Sequence, residues 1–475
     1  MAVYETVIGL EIHVELATNS KIFCACATSF GDEPNVNTCP VCLGLPGVMP
    51  VLNKSVVELA IKAGCSLNCE INLINKMDRK NYFYPDLPKA YQISQYDLPI
   101  CVNGFVDIDK HGERKKIGIT RIHIEEDAGK LIHIEDQNDT LIDYNRGGIP
   151  LIEIVTEPDI RSAEEAVTFL KDLRGILVYS GISDCKMEQG SMRCDVNISI
   201  RELGSKTLRT KVEIKNMNSM KEVYKAIKKE ESRQIELYRF GEGYKIIQET
   251  RRWDASKGKT VSMRTKEDAH DYRYFPEPDL PKLIISEGQV KDIKQSLPEL
   301  PKDKRKRMMR EYGLTDKEAR VLTEEKLVGD FYEAAVKLSG KPKETANWMM
   351  TEVLRVLKAE SVIPITSKQL AELIIEVEKG TINRTVAKEV FEEMINTDRS
   401  VFQIIETRGL QQISAQNILE EVVDKVLTEN SKAVADYQVG KTQSFGFLMG
   451  QCMKATKGQG NPNKVRIILE NKLTQ

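Results

Sequence analysis

The sequence predicts an α+β protein in which an N-terminal region with an antiparallel sheet is followed by an all-helical region. Up to about residue 290, short runs alternate β-branched and polar residues with a period of two, which is typical of half-buried strands. After about Pro281 this alternation stops, and we expect no further strands. Apolar residues then recur every three or four positions, which indicates amphipathic helices.

Four runs in the first region predict strands, namely residues 8–16, 117–125, 196–200 and 212–214. Helical patterns between them are sparse, and the clearest covers residues 163–178. A doubly wound parallel sheet needs a helix after nearly every strand. The spacing therefore favours an antiparallel layer.

The last 180 or so residues contain helix-start signals ahead of apolar stripes. Thr366 and Gln369 form a possible capping box, and Thr315 and Glu318 form another. The stripe after the first box consists of Leu370, Leu373, Ile374 and Val377. This region is predicted to be helical throughout.

A chain of 475 residues is too long for one ordinary core, so several domains are expected. Pro298 and Pro301 precede the basic run 302–310, which indicates a connection that enters a helix. We interpret that run as a solvated helix face rather than a nucleic-acid patch. With a second break near residues 408–414, the predicted domains are 1–292, 293–407 and a small helical tail, 408–475.

The composition excludes several classes of protein. Hydrophobic residues make up 41% and charged residues 29%, with a net charge of -2, so any nucleic-acid contact must come from a local patch. No basic segment followed by an apolar run marks a signal peptide, and no 18-residue apolar stretch indicates a membrane span. The sequence therefore predicts a cytoplasmic protein with reduced thiols.

Four of the ten cysteines have the spacing of a metal site. Cys24-x-Cys26 is followed after twelve residues by Cys39-x-x-Cys42. Such short pairs chelate one ion from a turn, and four thiolates suit tetrahedral Zn²⁺, so we predict a structural zinc site. Four unrelated thiols and an iron–sulfur cluster are the alternatives. Cys65 lies four residues before Cys69, and we expect both to pack into a core.

Acidic and histidine residues alternate along three strand-like runs. Glu11 and His13 share one strand face, as do His123 and Glu125, and Glu153 lies in the apolar run 150–155. Carboxylate oxygens with one imidazole can hold a Mg²⁺ that also binds nucleotide phosphates. Alternation alone also produces solvent-facing polar pairs at sheet edges, and from the spacing alone this second interpretation is favoured over a metal site.

No phosphate-binding loop is recognisable. Two Gly-Lys-Thr sequences occur, at 258–260 and 440–442, but the earlier glycine of the motif is replaced by Trp253 and Ala435. An ATP site in this chain must therefore lie on a sheet surface, where a metal and basic residues hold the phosphates.

Segments spread over nearly the whole chain resemble the family of B subunits of the bacterial tRNA-dependent amidotransferase. They are VIGLEIHVE (7–15), DRKNYFYPD (78–86), PKAYQISQ (88–95), EEDAGK (125–130), PLIEIV (150–155), KMEQGSMRCDVN (186–197), EIKN (213–216), QETRR (248–252), DYRYFPEPD (271–279), GFLMGQ (446–451) and KATKG (454–458). The resemblance implies a cradle-shaped, glutamine synthetase-like α+β domain followed by helical domains.

The resemblance also implies an activity and its partners. The cradle phosphorylates the side-chain carboxylate of Glu-tRNA(Gln) or Asp-tRNA(Asn) with ATP, and ammonia from a glutaminase A subunit then displaces the phosphate. A small C subunit completes a heterotrimer. The implied divalent-metal ligands are Glu11, His13, Glu125 and Glu153. Some family members also carry the zinc quartet. The candidate clamps for the ATP phosphates are Lys80, Lys89, Arg121 and Arg193.

Two regions are candidates for nucleic-acid contact. The aromatic run 82–84 can stack on adenine or on the tRNA end, with core packing as the alternative. From Asn430 onward, seven basic residues stand against two acidic ones, a net of +5. This tail is a candidate tRNA-binding surface, with a solvated helix surface as the alternative. Its candidate residues are Lys441, Lys454, Lys457 and Lys464.

Two other functions compete with the amidotransferase hypothesis. One is a zinc-stabilised RNA-binding scaffold that performs no chemistry. The other is a stand-alone ligase that acts on a free amino acid. Only the amidotransferase hypothesis requires both the carboxylates and the aminoacyl-tRNA.

Overall fold

A computed structural model describes residues 3–110, 112–134, 139–265, 271–360, 362–411, 416–456 and 458–474. The chain divides into two compact units, residues 1–300 and residues 301–475. No helix in the described ranges has both the length and the apolar character needed to cross a bilayer.

The described part of the first unit combines strands with four α-helices. The strands are β1 (Tyr4–Glu15), β2 (Glu70–Ile71), β3 (Ile74–Asn75), β4 (Asp78–Asn81), β5 (Tyr91–Ser94), β6 (Cys101–Lys110), β7 (Glu113–Glu126), β8 (Lys130–His133), β9 (Thr140–Asp143), β10 (Pro150–Thr156), β11 (Met192–Glu202), β12 (Val212–Lys215), β13 (Glu249–Asp254), β14 (Lys259–Thr265), β15 (Phe275–Pro276) and β16 (Leu283–Ile284). The helices are α1 (Lys54–Ser66), α2 (Ala163–Tyr179), α3 (Met220–Arg239) and α4 (Glu287–Gln295).

Nine of these strands form one sheet, in the order β14-β13-β12-β11-β1-β10-β7-β6-β2. Every pairing in it is antiparallel except that of β12 with β13. The predicted α+β class with an antiparallel layer is confirmed. The prediction that strands end at about Pro281 is wrong, because β16 pairs with β3 beyond it. A two-residue ladder is too short to produce an alternating sequence pattern.

The large sheet has one apolar and one polar face. The side chains of Ile12, Ile154 and Ile122, on three adjacent strands, are fully buried in the core, which α1, α2 and α3 cover. Helix α2 confirms the predicted helix at 163–178, and its N-cap Ser162 accepts a hydrogen bond from Glu165 N–H. Because successive residues of a strand alternate between faces, the polar residues between these isoleucines lie together on the other face.

The described part of the second unit is helical. Its helices are α5 (Pro301–Tyr312), α6 (Asp316–Leu322), α7 (Lys326–Ser339), α8 (Pro342–Trp348), α9 (Leu354–Glu360), α10 (Ser367–Glu378), α11 (Arg384–Asn396), α12 (Val401–Thr407), α13 (Gln416–Glu429), α14 (Ser431–Gln438), α15 (Gln443–Ala455) and α16 (Pro462–Thr474). Both predicted capping boxes are present, Thr315 with Glu318 and Thr366 with Gln369. One hydrophobic cluster covers α5 to α12 and another α13 to α16.

The basic run 302–310 lies in α5, and part of it is buried. Lys304 is 5% exposed, and its Nζ lies 2.7 Å from Asp330 and 2.9 Å from Glu333. Arg307 also pairs with Glu333, at 2.7 Å. The expectation of a wholly solvated face is wrong at these positions, because the acidic partners on α7 lie far away in the sequence.

Candidate functional site

The polar face of the large sheet brings the predicted carboxylates and imidazole together. His13 on β1 lies opposite Glu153 of β10, and Glu153 lies opposite His123 of β7. Glu125 follows two residues after His123 on the same face of β7. On the other side of β1, Glu11 lies opposite Asp195 of β11. Four adjacent strands therefore contribute to one cluster.

The distances within this cluster are those of a metal-binding group. His13 Nε2 lies 3.3 Å from Glu125 Oε1. One potential ligand atom from each of His13, Glu125 and Glu153 lies within 4.8 Å of the others, and the same holds for Glu11, His13 and Asp195. His13 belongs to both groups. The four residues predicted as ligands lie in one cluster, and Asp195 joins them.

The electrostatics of the cluster show an excess of negative charge. Burial acts to lower the pKa of His13, but the hydrogen bond to Glu125 and the charges of Glu125 and Glu153 raise it to about 9. Burial and the charge of Glu153 raise the pKa of Glu11 to about 7. Burial acts to raise the pKa of Glu153, but the His123 imidazole, whose Nδ1 lies 3.9 Å from the carboxylate, and the charges of His13 and Lys80 lower it to about 2. A protonated His13 thus supplies positive charge that a bound cation would replace.

The chemistry of the donors fits a hard divalent cation. Three carboxylates and one imidazole offer the oxygen-rich environment that such ions prefer. His123 Nε2 is buried and has no hydrogen-bond partner among the described residues. A buried polar atom without a partner is costly unless another group, such as an ion or its water, satisfies it. The cluster is therefore suited to a metal ion and its ligands.

The predicted phosphate clamps have different surroundings. Lys80 on β4 is half-buried, and its pKa is raised because the charges of Glu125, Tyr274 and Glu153 outweigh burial. Arg121 is half-buried on β7, two residues before His123. Arg193 lies opposite His13 and pairs with Asp127 at 2.7 Å. Lys80, Arg121 and Arg193 therefore all border the polar face.

Lys89, the fourth predicted clamp, is held by a carboxylate. Its Nζ lies 2.6 Å from both oxygens of Glu126, and Glu126 also accepts the Ile93 N–H at 2.8 Å. The Lys89 stem fills the space beside Gly44, where an added Cβ would lie 2.3 Å from Lys89 Cγ. The Lys89 side chain therefore packs against the segment that contains the four clustered cysteines.

Sequence reasoning missed Asp195 and Lys215. Lys215 Nζ lies 2.5 Å from Asp195 and 3.3 Å from Glu213, so it offsets the charge at the Glu11 side of the cluster. A signal for Asp195 is present in the sequence, because Arg193, Asp195 and Asn197 alternate with Cys194 and Val196. That pattern identifies a polar strand face but not the strand beside it.

The four predicted zinc ligands lie in one cluster. The sulfur atoms of Cys24, Cys26, Cys39 and Cys42 all lie within 4.8 Å of one another. Four thiolates at the usual Zn–S distance are about 3.8 Å apart in a tetrahedron, so a small closure completes the site. The hydrogen bond with the Cys24 thiol, together with the Cys39 backbone N–H and the Lys21 ammonium, lowers the pKa of Cys42 to about 4 despite burial. This donor set fits a structural zinc ion. Cys65 and Cys69, by contrast, pack against the main core, as expected.

A fully buried lysine contacts this cysteine cluster. Lys21 donates to the Tyr144 carbonyl at 3.0 Å and lies 3.8 Å from Cys42 Sγ. A buried ammonium is costly unless negative charge compensates it, and a thiolate–metal cluster supplies that charge. Lys21 is therefore part of the environment of the metal site.

Comparisons with known proteins identify the family of the chain. The family model described as the GatB/GatE catalytic domain matches residues 6–291, and the one described as the GatB domain matches residues 330–473. The chain belongs to the GatB/GatE family. A Clostridium acetobutylicum relative, named as a B subunit of aspartyl/glutamyl-tRNA(Asn/Gln) amidotransferase, is 53% identical over 99% of this chain and 100% of its own length. A Carboxydothermus hydrogenoformans relative, named as the B subunit of the same enzyme, is 54% identical over 100% of both chains.

The C-terminal basic surface of this GatB/GatE family member is partly neutralised. Lys441 pairs with Asp436 at 2.8 Å, and Arg466 pairs with Glu470 at 2.9 Å. Lys454 and Lys464 are exposed on α15 and α16. Lys457, also predicted to contact tRNA, lies outside the described residues. The net charge of the tail therefore overstates the cationic surface that its described lysines and arginine provide.

Proposed function

We propose that this chain is the phosphorylating subunit of an aspartyl/glutamyl-tRNA(Asn/Gln) amidotransferase. It transfers the γ-phosphoryl group of ATP to the side-chain carboxylate of Glu-tRNA(Gln) or Asp-tRNA(Asn). Ammonia from a glutaminase A subunit then attacks the acyl phosphate, and Gln-tRNA(Gln) or Asn-tRNA(Asn) forms as phosphate leaves. The observation that carries the proposal is the cluster of Glu11, His13, Glu125 and Glu153 on the polar sheet face.

The phosphorylation step is needed because a carboxylate is a poor acceptor for ammonia. Direct attack would require oxide to leave, whereas an acyl phosphate loses phosphate. The transfer itself depends mainly on alignment and charge neutralisation. Glu11, His13, Glu125 and Glu153 would hold Mg²⁺, which neutralises phosphate charge when bound.

The chain's own residues supply the remaining positive charge. Lys80 is proposed to orient the γ-phosphate, and the influence of the Glu125 and Glu153 charges on its pKa supports this role. Arg121 and Arg193 border the same face, where an anion can approach them. Lys89 is proposed to contribute through its ion pair with Glu126, the residue after Glu125.

The proposed function gives each of the three predicted domains a role. We propose that residues 1–292 form a glutamine synthetase-like cradle whose open polar face is the reaction surface. Residues 293–407 form a helical domain, and residues 408–475 form a helical tRNA-binding tail. An A subunit and a small C subunit complete a heterotrimer. We further propose a cytoplasmic location, because aminoacyl-tRNA is a cytoplasmic substrate.

The test is a reconstituted reaction with the A and C partners. We expect ATP-dependent, glutamine-dependent conversion of Glu-tRNA(Gln) to Gln-tRNA(Gln), or of Asp-tRNA(Asn) to Asn-tRNA(Asn). Binding of tRNA without any ADP formation would instead support the RNA-binding scaffold. ADP formation with free glutamate and no tRNA would support the stand-alone ligase.

The cysteine cluster leads to a prediction about metal content. Purified protein is expected to contain about one tightly held zinc ion per chain, since four thiolates satisfy one tetrahedral ion. Cys39→Ser should lose that zinc, whereas Cys65→Ser, a change outside the cluster, should keep it. Elemental analysis measures both. Iron in place of zinc would contradict the assignment.

The exposed tail lysines lead to a prediction about salt dependence. Changing both Lys454 and Lys464 to Gln should weaken tRNA binding and reduce the slope of log K against log salt by about 1.5, because two phosphate contacts are lost. Lys368→Gln, at an exposed lysine on α10 outside the proposed tRNA-binding tail, is the control. Filter binding over a salt series gives the slopes. Equal slopes for the double variant and the unaltered chain would remove the tail from the tRNA surface.

A further inference from the structure

Two tyrosines near the carboxylate cluster stack on each other at the surface. Tyr96 lies just after β5 and Tyr274 just before β15, with ring centroids 4.3 Å apart and planes 8° from parallel. Tyr96 is 58% exposed, and Tyr274 is half-buried beneath it. The exposed ring therefore presents a flat aromatic surface to solvent.

The backbone below the exposed ring is rigidly anchored. The Tyr96 N–H donates to Asp78 Oδ2 at 3.0 Å, and Asp78 is 1% exposed and also pairs with Lys76. Gln95, also 1% exposed, accepts hydrogen bonds from the backbone N–H groups of Ile124 and Ile100. An exposed aromatic ring on a fixed base loses little conformational entropy when a planar ligand stacks on it.

The stack adjoins the proposed reaction surface. Ser94, two residues before Tyr96, donates to Glu125 at 3.2 Å. Tyr274 lies 6.1 Å from Tyr272, centroid to centroid, and Lys80 Nζ lies 5.0 Å from the Tyr272 ring centroid. Burial raises the pKa of Tyr274 to about 12, with Lys80 opposing and Glu153 and Glu125 adding to the shift. Aromatic surface, ammonium group and carboxylates are thus close neighbours.

That arrangement matches the chemistry of an adenosine whose polar end reaches the cluster. An aromatic surface accepts the π-face of a base, and a neighbouring cation favours an anionic or polar extension of the same ligand. The predicted stacking run 82–84 is less well suited, because Phe83 is 83% exposed and has no stacked ring partner among the described residues.

We propose that the outer face of the Tyr96–Tyr274 stack binds an adenine ring. This inference rests on the proposed function, which supplies two adenosines, that of ATP and that at the 3′ end of the aminoacyl-tRNA. Both offer the same ring to stack, and their polar parts differ. In this proposal Tyr96 contacts the adenine, and Tyr274 packs against the opposite face of the Tyr96 ring and fixes its orientation.

The experiment uses the full-length chain and two probes, a non-hydrolysable ATP analogue and deacylated tRNA with or without its terminal adenosine. Tyr96→Ala is expected to weaken binding of one probe by about 5- to 100-fold, the usual contribution of one stacked base. Tyr96→Phe should bind as the unaltered chain does, because the ring is kept. Phe240→Ala, at another exposed aromatic residue of the first unit, is the control.

The pattern of loss identifies the source of the adenine. Weaker binding of the ATP analogue alone assigns the stack to ATP. If the stack binds the tRNA end, Tyr96→Ala should bind intact tRNA only as tightly as the unaltered chain binds tRNA that lacks its terminal adenosine. Unchanged binding of both probes by Tyr96→Ala, or an equal loss in Phe240→Ala, overturns the inference. ADP formation by the unaltered protein tests the proposed function separately, so the two failures are distinguishable.

Discussion

Glu125→Gln is expected to reduce ATP-dependent phosphorylation of Glu-tRNA(Gln) by about 100-fold or more, because it removes one full negative charge from the proposed cation site. Glu125 is 2% exposed and contacts both His13 and Ser94, so a neutral amide cannot supply the same ligand. Glu153→Gln should have a similar effect, since Glu153 lies within 4.8 Å of the same imidazole. Single-turnover assays of ADP formation measure the loss.

Two controls separate a catalytic loss from misfolding. Glu113→Gln alters an exposed carboxylate at the beginning of β7, about 40 Å along the strand from Glu125, and should leave the rate unchanged. Binding of tRNA by Glu125→Gln should stay largely intact, because the substitution changes neither the proposed tRNA-binding tail at residues 408–475 nor the Tyr96–Tyr274 stack. Full turnover by both Glu125→Gln and Glu153→Gln would show that these carboxylates are not the catalytic centre.

The fold was predictable from sequence where patterns are local and long. The runs at 8–16 and 117–125 lie in β1 and β7, and the alternation assigns the polar and apolar faces of β1. In β7 it fails along part of the run, because the register shifts between Ile119 and Arg121 and the buried isoleucines change there from odd to even positions. The paired strands β3 and β16 were not predictable, because two residues in each strand carry no period. The burial of Lys304 depends on Asp330 and Glu333, which no local pattern links to it.

The two candidate sites differ in how far sequence reasoning could reach. The cysteine cluster is built from residues 24–42, so its spacing alone brings the ligands together. The carboxylate cluster depends on strand order, which places residues near 13, 125 and 153 side by side. Spacing could not supply that order, and the ligand set came from the family resemblance. Asp195 and the ion pair of Lys89 with Glu126 were missed for the same reason.

A substitution of Lys21 is the second change for which we expect a large effect, in this case on zinc affinity. Lys21→Met is expected to weaken zinc binding by about 10- to 100-fold, the usual effect of losing a group that supports metal ligands. The Lys21 ammonium is fully buried beside Cys42 Sγ, where it offsets the negative charge of a zinc–thiolate cluster. Competition with a chelator measures the affinity. Lys54→Met, a change at a lysine whose side chain is 84% exposed, is the control.

The same substitution should affect folding differently in the two metal states. With zinc bound, Lys21→Met removes a favourable charge interaction and leaves the Tyr144 carbonyl without its donor, so the free energy of unfolding falls. After zinc removal, Cys24 and Cys26 are protonated at neutral pH because hydrogen bonds within the cluster and burial raise their pKa values, whereas Cys42, with a pKa of about 4, stays ionised. The Lys21 ammonium then faces less negative charge than in the zinc-bound cluster, so the loss of Lys21 should lower the free energy of unfolding by less. Chemical denaturation of the zinc-bound and zinc-stripped forms compares the two costs. If Lys21→Met lowers the free energy of unfolding equally in both states and leaves the zinc affinity unchanged, Lys21 supports the fold through Tyr144 alone and has no role at the metal site.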